Sequence, residues 1–355
     1  MKGIVFDEDG LNVVSDLTLR DLRPDEVRVD LQAAGVCHSD VSVIDGTIPF
    51  PTPVVLGHEG TGIVAEVGGA VSGVKVGDHV VISTLSNCGA CSACDSGRPT
   101  HCRESIGKMS APFRQAERKV LQFANIGAFS EQTIVKARQA VPINRDVPFE
   151  VAALLGCGVI TGVGAVFNRA KVTHGQSVLV VGVGGIGLNV IQGAALADAL
   201  PIIAVDTNPR KEALARQFGA THFIDASKVD TIEAIKEICP NGVDVSFECV
   251  GHPALIRTAI DALDWGGTCV ILGVPKFGTE ASFLVSGMYN DKTIMGCRYG
   301  AGRPHADIPL FVDLYLAGRL NLDSLVTKTY SIDDIGQTLD DMHNGDLARG
   351  VLQIG

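Results

Sequence analysis

From residue 177 to 274 the chain alternates continuous apolar runs with amphipathic stretches. The runs are SVLVVGV (177–183), IIAVD (202–206), HFID (222–225), DVSFECVG (244–251) and TCVILGV (268–274). Between several of them lie GLNVIQGAALA, NPRKEALARQFG, TIEAIKEIC and PALIRTAIDAL. A strand apolar at every position is buried on both faces, and amphipathic helices are what cover such faces. The pattern predicts an α/β domain with a doubly wound parallel sheet. The first 155 residues have another texture. Short runs such as VRVDLQAAGV, TGIVAEVG and DHVVIST are separated by Gly, Pro and Asp, which predicts a β-rich domain. The loop TIPFPTPVVLG carries Pro49, Pro51 and Pro53 at alternate positions, so it should be extended, with a cis bond as an option. After about residue 298 the tail IPLFVDLYLAGRLNLDSLV reads as helical, and RGVLQIG returns to a short strand.

A length of 355 residues suits two domains. With 46% apolar and 5% aromatic residues, the cores must be built mainly from Val, Ile, Leu and Ala. A net charge of −11 lacks the basic surplus that phosphate neutralisation needs, so no nucleic-acid partner is expected. The N-terminus MKGIVFDEDG has no apolar core of a secretory signal. Val178 to Ala197 is uncharged over twenty residues, but five glycines, Asn189 and Gln192 interrupt it, and a strand–turn–helix fits better than a membrane span. A cytoplasmic, reducing setting is therefore expected for the ten cysteines, where clustered cysteines bind metal more often than they form disulfides.

Within VVGVGGIG, Gly182, Gly184 and Gly187 are spaced as GxGxxG, with Gly185 between them. The run follows an apolar strand and opens a helix, and Asp206 ends the next strand nineteen positions after Gly187. That context points to a dinucleotide: backbone N–H groups at a helix start meet a pyrophosphate, and an acidic side chain accepts from the ribose hydroxyls. Asp206 would repel a 2′-phosphate, which favours NAD over NADP. Lys211 could reach the same ribose edge or be a solvated helix charge. A tight turn with no ligand is the plainer alternative for the glycines.

Cys88, Cys91, Cys94 and Cys102 fall within fifteen residues. Four thiolates close the tetrahedral shell of a zinc ion and leave no open position, so such a site is structural. Disulfides, free thiols or an iron–sulfur cluster are the other readings. Cys37, His58 and Cys157 are separated by 21 and 99 residues and carry no local zinc spacing. On pattern alone, a glycine-flanked cysteine is a buried small residue.

Taken in order, GVCHSD, GHEGTGIVAEVG, the four-cysteine loop, LLGCGVITG and GVGGIG resemble the zinc-dependent medium-chain alcohol dehydrogenases over almost the whole chain. The resemblance implies a β-rich GroES-like catalytic domain from residues 1–158 and 299–355, with a structural zinc loop at 88–102, and a Rossmann domain from 159–298. It implies two zinc ions per chain and NAD. Cys37, His58 and Cys157 would hold the catalytic zinc, leaving one position open. Glu59 matches a glutamate behind the ligands, and Asp40 a carboxylate that orients the imidazole. Ser39 matches the hydroxyl that takes the alcohol proton, and His38 a residue near the pyrophosphate. Thr161 matches a threonine packed on the nicotinamide, and Arg349 a second pyrophosphate arginine, with an ordinary surface charge as its alternative. The implied reaction is alcohol oxidation or aldehyde reduction: zinc lowers the alcohol's pKa, Ser39 passes the proton outward, and hydride reaches the nicotinamide.

Three departures refine this. Ser42 stands where many relatives place the histidine that ends the proton relay. Thr84 replaces an aromatic pocket residue; with Phe123, Ile48 and Val274 it implies a roomy apolar pocket for primary aliphatic or aromatic alcohols. Ile106 occupies the position of the arginine used by the glutathione-dependent formaldehyde branch, with Arg103 and Arg114 offset from it. The alternatives are that branch, a nicotinoprotein that never releases its coenzyme, and a non-enzymatic zinc-loop scaffold. The insert SIGKMSAPFRQAERKVLQFANIGA between Cys102 and Phe129 is intermediate in length and leaves homodimer and homotetramer both open.

Overall fold

The computed structural model describes residues 1–105, 107–345 and 347–355. It divides into two compact units, Met1–Gly158 with Arg303–Gly355, and Val159–Gly302.

In the second unit, six strands form one sheet in the order His222–Asp225, Ile202–Asp206, Val178–Val181, Val243–Glu248, Leu263–Ile271, Thr293–Gly296. Every neighbouring pair is parallel. All four residues of Val178–Val181 are buried, because the strand lies at the sheet's centre and is packed on both faces. Leu179, Val181, Ile203, Val205, Ile235 and Ile260 join strands and helices in one core. From Val178–Val181 the chain winds first to one edge, then returns to Val243–Glu248 on the other side. The carboxyl ends of these two strands form the switch point where such sheets receive ligands.

The apolar pattern fell short at one edge of this sheet. Leu263–Ile271 starts five residues before the run TCVILGV suggests, because Asp264, Gly266 and Gly267 interrupt the apolar signal while backbone pairing continues across a register shift. Thr293–Gly296 was not foreseen; it is a short edge strand whose ends are exposed and so lacks a continuous apolar run.

Among the described residues, the first unit holds two sheets. Seven strands make the larger: Ala140–Pro142, His79–Ile82, Glu59–Val67, Glu26–Val36, Arg349–Gln353 and Val326–Ser331 in order, with Gln132–Lys136 also paired to Glu26–Val36. The C-terminal strand Arg349–Gln353 thus lies against Glu26–Val36, antiparallel, pairing Gly350 with Val36. This pairing brings the tail of the chain into the N-terminal unit. A six-stranded second sheet includes the hairpin Phe113–Gln115 and Arg118–Gln122. In the proline loop, Thr52–Pro53 is cis. Among the described residues no single helix is long and apolar enough to cross a membrane. One bent pair, Phe149–Gly156 with Gly158–Ala170, passes by length and composition, but residues 151–166 of it are buried in protein.

Candidate metal centres and coenzyme loop

Strand pairing assembles the dispersed cysteines and histidine. Cys37 follows Glu26–Val36 and caps the short helix His38–Ile44. His58 immediately precedes Glu59–Val67, and Gly35 pairs with Glu59 across the ladder. Cys157 lies between the turn Leu154–Gly156 and the helix Gly158–Gly164. One ligand atom from each of Cys37, His58, Glu59 and Cys157 lies within 4.8 Å of the others, and all four residues are buried. The sequence pointed to three donors; the fold offers a fourth in the Glu59 carboxylate. Gly35 makes room for it: a Cβ there would sit 2.3 Å from Glu59 Oε2.

Asp40 ties this group together. It is fully buried, and its Oδ1 accepts from Gly57 N at 3.0 Å and lies 3.1 Å from His58 Nδ1. Its Oδ2 accepts from Cys37 N at 3.1 Å. With Nδ1 engaged, His58 Nε2 is buried and has no hydrogen-bond partner. A bare imidazole nitrogen facing two thiols, with its other nitrogen on a carboxylate, is the donor set of a zinc site. The residues fit the metal. Phe123 meets the His58 ring edge to face, centroids 5.3 Å apart, and Phe50 meets Phe123 in the same way.

The electrostatics follow from burying several charges together. Cys37 is held well below the ordinary thiol range, chiefly by the hydrogen bond from Cys157, against the cost of burial and with help from Arg349. Burial pulls the His58 pKa down, but Asp40 and the two cysteines outweigh it and leave it well above its usual value. Burial pushes Glu59 up to about 7, although Arg349 draws it down. Arg349 is 6% exposed, and its guanidinium lies 3.5 Å from Glu59 Oε1. It is therefore no ordinary surface charge.

The second cysteine group differs in its setting. Cys88, Cys91, Cys94 and Cys102 also bring their sulfurs within 4.8 Å of one another, but on a loop near the surface. The Cys91–Cys94 and Cys88–Cys102 sulfur pairs are each 3.6 Å apart. Tetrahedral bonds of about 2.3 Å would set sulfurs roughly 3.8 Å apart, so the loop is shaped for a zinc ion. Cys88 N and Ala90 N aim at sulfurs at 3.4 and 3.5 Å. The Ala90 N–H, first among the causes, brings Cys88 down to about 7.

In the second unit, the chain leaves Val178–Val181 through Gly182, at φ 95°, and enters the helix Gly185–Leu196 capped by Gly184. A side chain on Gly187 would meet Gly182 O at 1.9 Å, so strand and helix pack at glycine distance. Nothing lies within 4 Å of where a Gly184 side chain would start, which leaves that backbone open to a ligand. Asp206 is more engaged than expected. Its carboxylate accepts from Val183 N at 2.8 Å, Asn208 N at 2.9 Å and Lys211 Nζ at 3.0 Å. It fastens the glycine loop, and Lys211 is its ion-pair partner. Thr161, in the same unit, is buried at 6% exposure.

Around the first centre, His38 is exposed, and Ser39, Ser42 and Ile48 are half-buried. Thr84 is buried and donates to Gly156 O at 3.1 Å. Val274, in the second unit, is 60% exposed. Ile106 lies outside the described residues. Sequence reasoning missed Phe50, whose contact with Phe123 joins two segments far apart in the chain. The aromatic residue in the proline loop was the available signal.

A doubly wound parallel sheet with a glycine loop, and a β-rich unit with one buried and one closed cysteine site, define a zinc-binding dehydrogenase. Residues 23–145 match the alcohol dehydrogenase GroES-like domain, and residues 185–317 match the zinc-binding dehydrogenase domain. The chain is 40% identical over 339 residues to an S-(hydroxymethyl)glutathione dehydrogenase of Synechocystis sp., covering 92% of each chain. It is 39% identical over 342 residues to one of Escherichia coli, again covering 92% of each. Its fold matches the crystal structure of benzyl alcohol dehydrogenase from Acinetobacter calcoaceticus with a TM-score of 0.93 and 35% identity over 100% of both chains. The chain belongs to the zinc-dependent medium-chain alcohol dehydrogenase family.

Proposed function

We propose that this dehydrogenase transfers hydride between primary alcohols and NAD, with aldehydes on the product side and aromatic or aliphatic alcohols as its substrates. The observation that carries the reading is the bare, buried His58 Nε2 among two thiols, its partner nitrogen fixed by Asp40. A zinc ion held by Cys37, His58 and Cys157 would supply Lewis acidity to an alcohol or carbonyl oxygen.

The chain's own groups do the rest. Asp40 holds the proton on Nδ1 and so presents Nε2 as a donor atom. Ser39 is assigned the alcohol proton, and the adjacent exposed His38 its delivery to water. Ser42 cannot relay a proton as an imidazole does, which makes this path short. Glu59 and Arg349 balance charge behind the thiols. For the coenzyme we assign the backbone at Gly182, Gly184, Gly185 and Gly187 to the pyrophosphate and Thr161 to the nicotinamide. Asp206, with Lys211 beside it, is assigned to the ribose and favours NAD by repelling a 2′-phosphate. Thr84, Phe123 and Ile48 are assigned to the apolar part of the alcohol. The second cysteine group is assigned a structural zinc, and the working assembly is a homodimer or homotetramer.

The name of the Acinetobacter enzyme supports an aromatic primary alcohol. The names of the Synechocystis and Escherichia coli relatives favour the glutathione adduct of formaldehyde instead. Against that second reading stands Ile106, apolar where the glutathione-dependent branch carries an arginine. NAD reduction measured with benzyl alcohol, hexanol, a secondary alcohol, and formaldehyde plus glutathione decides between them. Turnover greatest on the first two is expected. Turnover greatest on the adduct would replace the first reading by the second. Turnover on none, with one zinc per chain, would leave a scaffold.

A further inference from the structure

A groove of about 1140 Å³ crosses the first unit, bordered by the cysteine loop and by the hairpin Phe113–Gln115 and Arg118–Gln122. In a chain of net charge −11, its walls carry seven lysines and arginines against three carboxylates. The carboxylates are already engaged. Arg20 grips Glu26 with two hydrogen bonds, at 2.7 and 2.9 Å, Lys136 holds Asp25 at 2.6 Å, and Lys108 holds Glu104. When its thiolates hold zinc the cysteine loop adds negative charge, and the Arg138 guanidinium lies directly over Gly89 of that loop to meet it.

Arg114 and Lys119 remain. They sit directly opposite each other in the antiparallel ladder, so both side chains leave the same face of the hairpin. Like charges in that position repel. Among the described residues neither has an acidic hydrogen-bond or ion-pair partner. The next rung, facing the other way, is different: Arg118 bonds Asp7 at 2.8 Å and Gln115 at 2.9 Å. The hairpin thus neutralises the cation on one face and leaves two together on the face that lines the groove. Arg23, exposed, adds a third positive charge to the same walls. A concave surface of one sign focuses its field on an incoming ion of the other.

We propose that this groove binds a small polyanion, a molecule with two or more phosphate or carboxylate groups, anchored by Arg114 and Lys119. The site uses none of the residues assigned to the metal trio or the glycine loop, so it stands or falls apart from the hydride-transfer reading.

The test is isothermal titration of the full, zinc-loaded chain with fructose bisphosphate and, separately, with tricarballylate, at low ionic strength. Both are weak zinc ligands. Saturable one-to-one binding of either is expected, weakening as salt is added. Response to the first alone identifies a phosphate ligand, and response to the second alone a carboxylate ligand. Lys119→Ala should weaken binding by about tenfold, the loss of one charge-assisted contact. Arg114→Glu should abolish binding. Because it converts a like-charge pair into an ion pair, it should also raise the melting temperature without ligand, at unchanged zinc content. No saturation by either probe at millimolar concentration, or binding that survives Arg114→Glu unchanged, overturns the proposal.

Discussion

The two cysteine sites solve opposite problems. The 88–102 loop gathers its four donors from adjacent turns, three of them at or near the surface. The Cys37–His58–Cys157 group gathers its donors from three segments, buries them all, and holds the imidazole from behind through Asp40. In the first, metal would fix the fold; in the second, the fold is already fixed and would present the metal. A local site can therefore be read from spacing, and a dispersed one cannot.

That contrast breaks most visibly under cysteine substitution. Cys37→Ser should cut turnover by about a thousandfold or more, since Lewis-acid stabilisation is worth several kcal/mol. It should leave one zinc per chain by metal analysis and an almost unchanged melting temperature. Cys91→Ser should also leave one zinc, but with a lowered melting temperature and proteolytic cleavage within 88–105. Equal loss of stability in both variants would erase the distinction.

A smaller effect probes the scaffold behind the buried site. Asp40→Asn keeps the shape but weakens the hold on His58 Nδ1. Partners behind metal ligands are worth about 10–100-fold in metal affinity, so competition with a chelator should show a loss in that range at the buried site and none at the loop. A loss shared by both sites would make Asp40 a general fold residue. The smallest effect concerns the relay. Because Ser42 offers no imidazole, added free imidazole should raise alcohol turnover by about a few-fold, within what proton-transfer assistance supplies. No response would mean that proton exit does not limit the rate.

How much could be read in advance varies by element. The strand Val178–Val181, the glycine loop and Asp206 were legible because a buried parallel strand, a tight turn and a strand-end carboxylate each leave a local mark. The edge strand Thr293–Gly296 left none, since an edge needs no unbroken apolar run. The cysteine loop was legible from spacing, whereas the trio entered only through a family resemblance. Arg349 shows the limit most clearly. In sequence it is one arginine near the C-terminus; in the fold it is buried 3.5 Å from Glu59.

By itself the sequence determined the periodicities, and with them a doubly wound parallel sheet, a β-rich partner unit, a nucleotide-type glycine turn and a four-thiol loop. Only the tertiary structure decided which distant groups meet: Gly35 yielding space to Glu59, Asp40 spanning Cys37, Gly57 and His58, and the C-terminal strand delivering Arg349. The reason is physical. Local signals come from backbone geometry over a few residues, while a buried cluster of charges exists only once long-range strand pairing has excluded water from it.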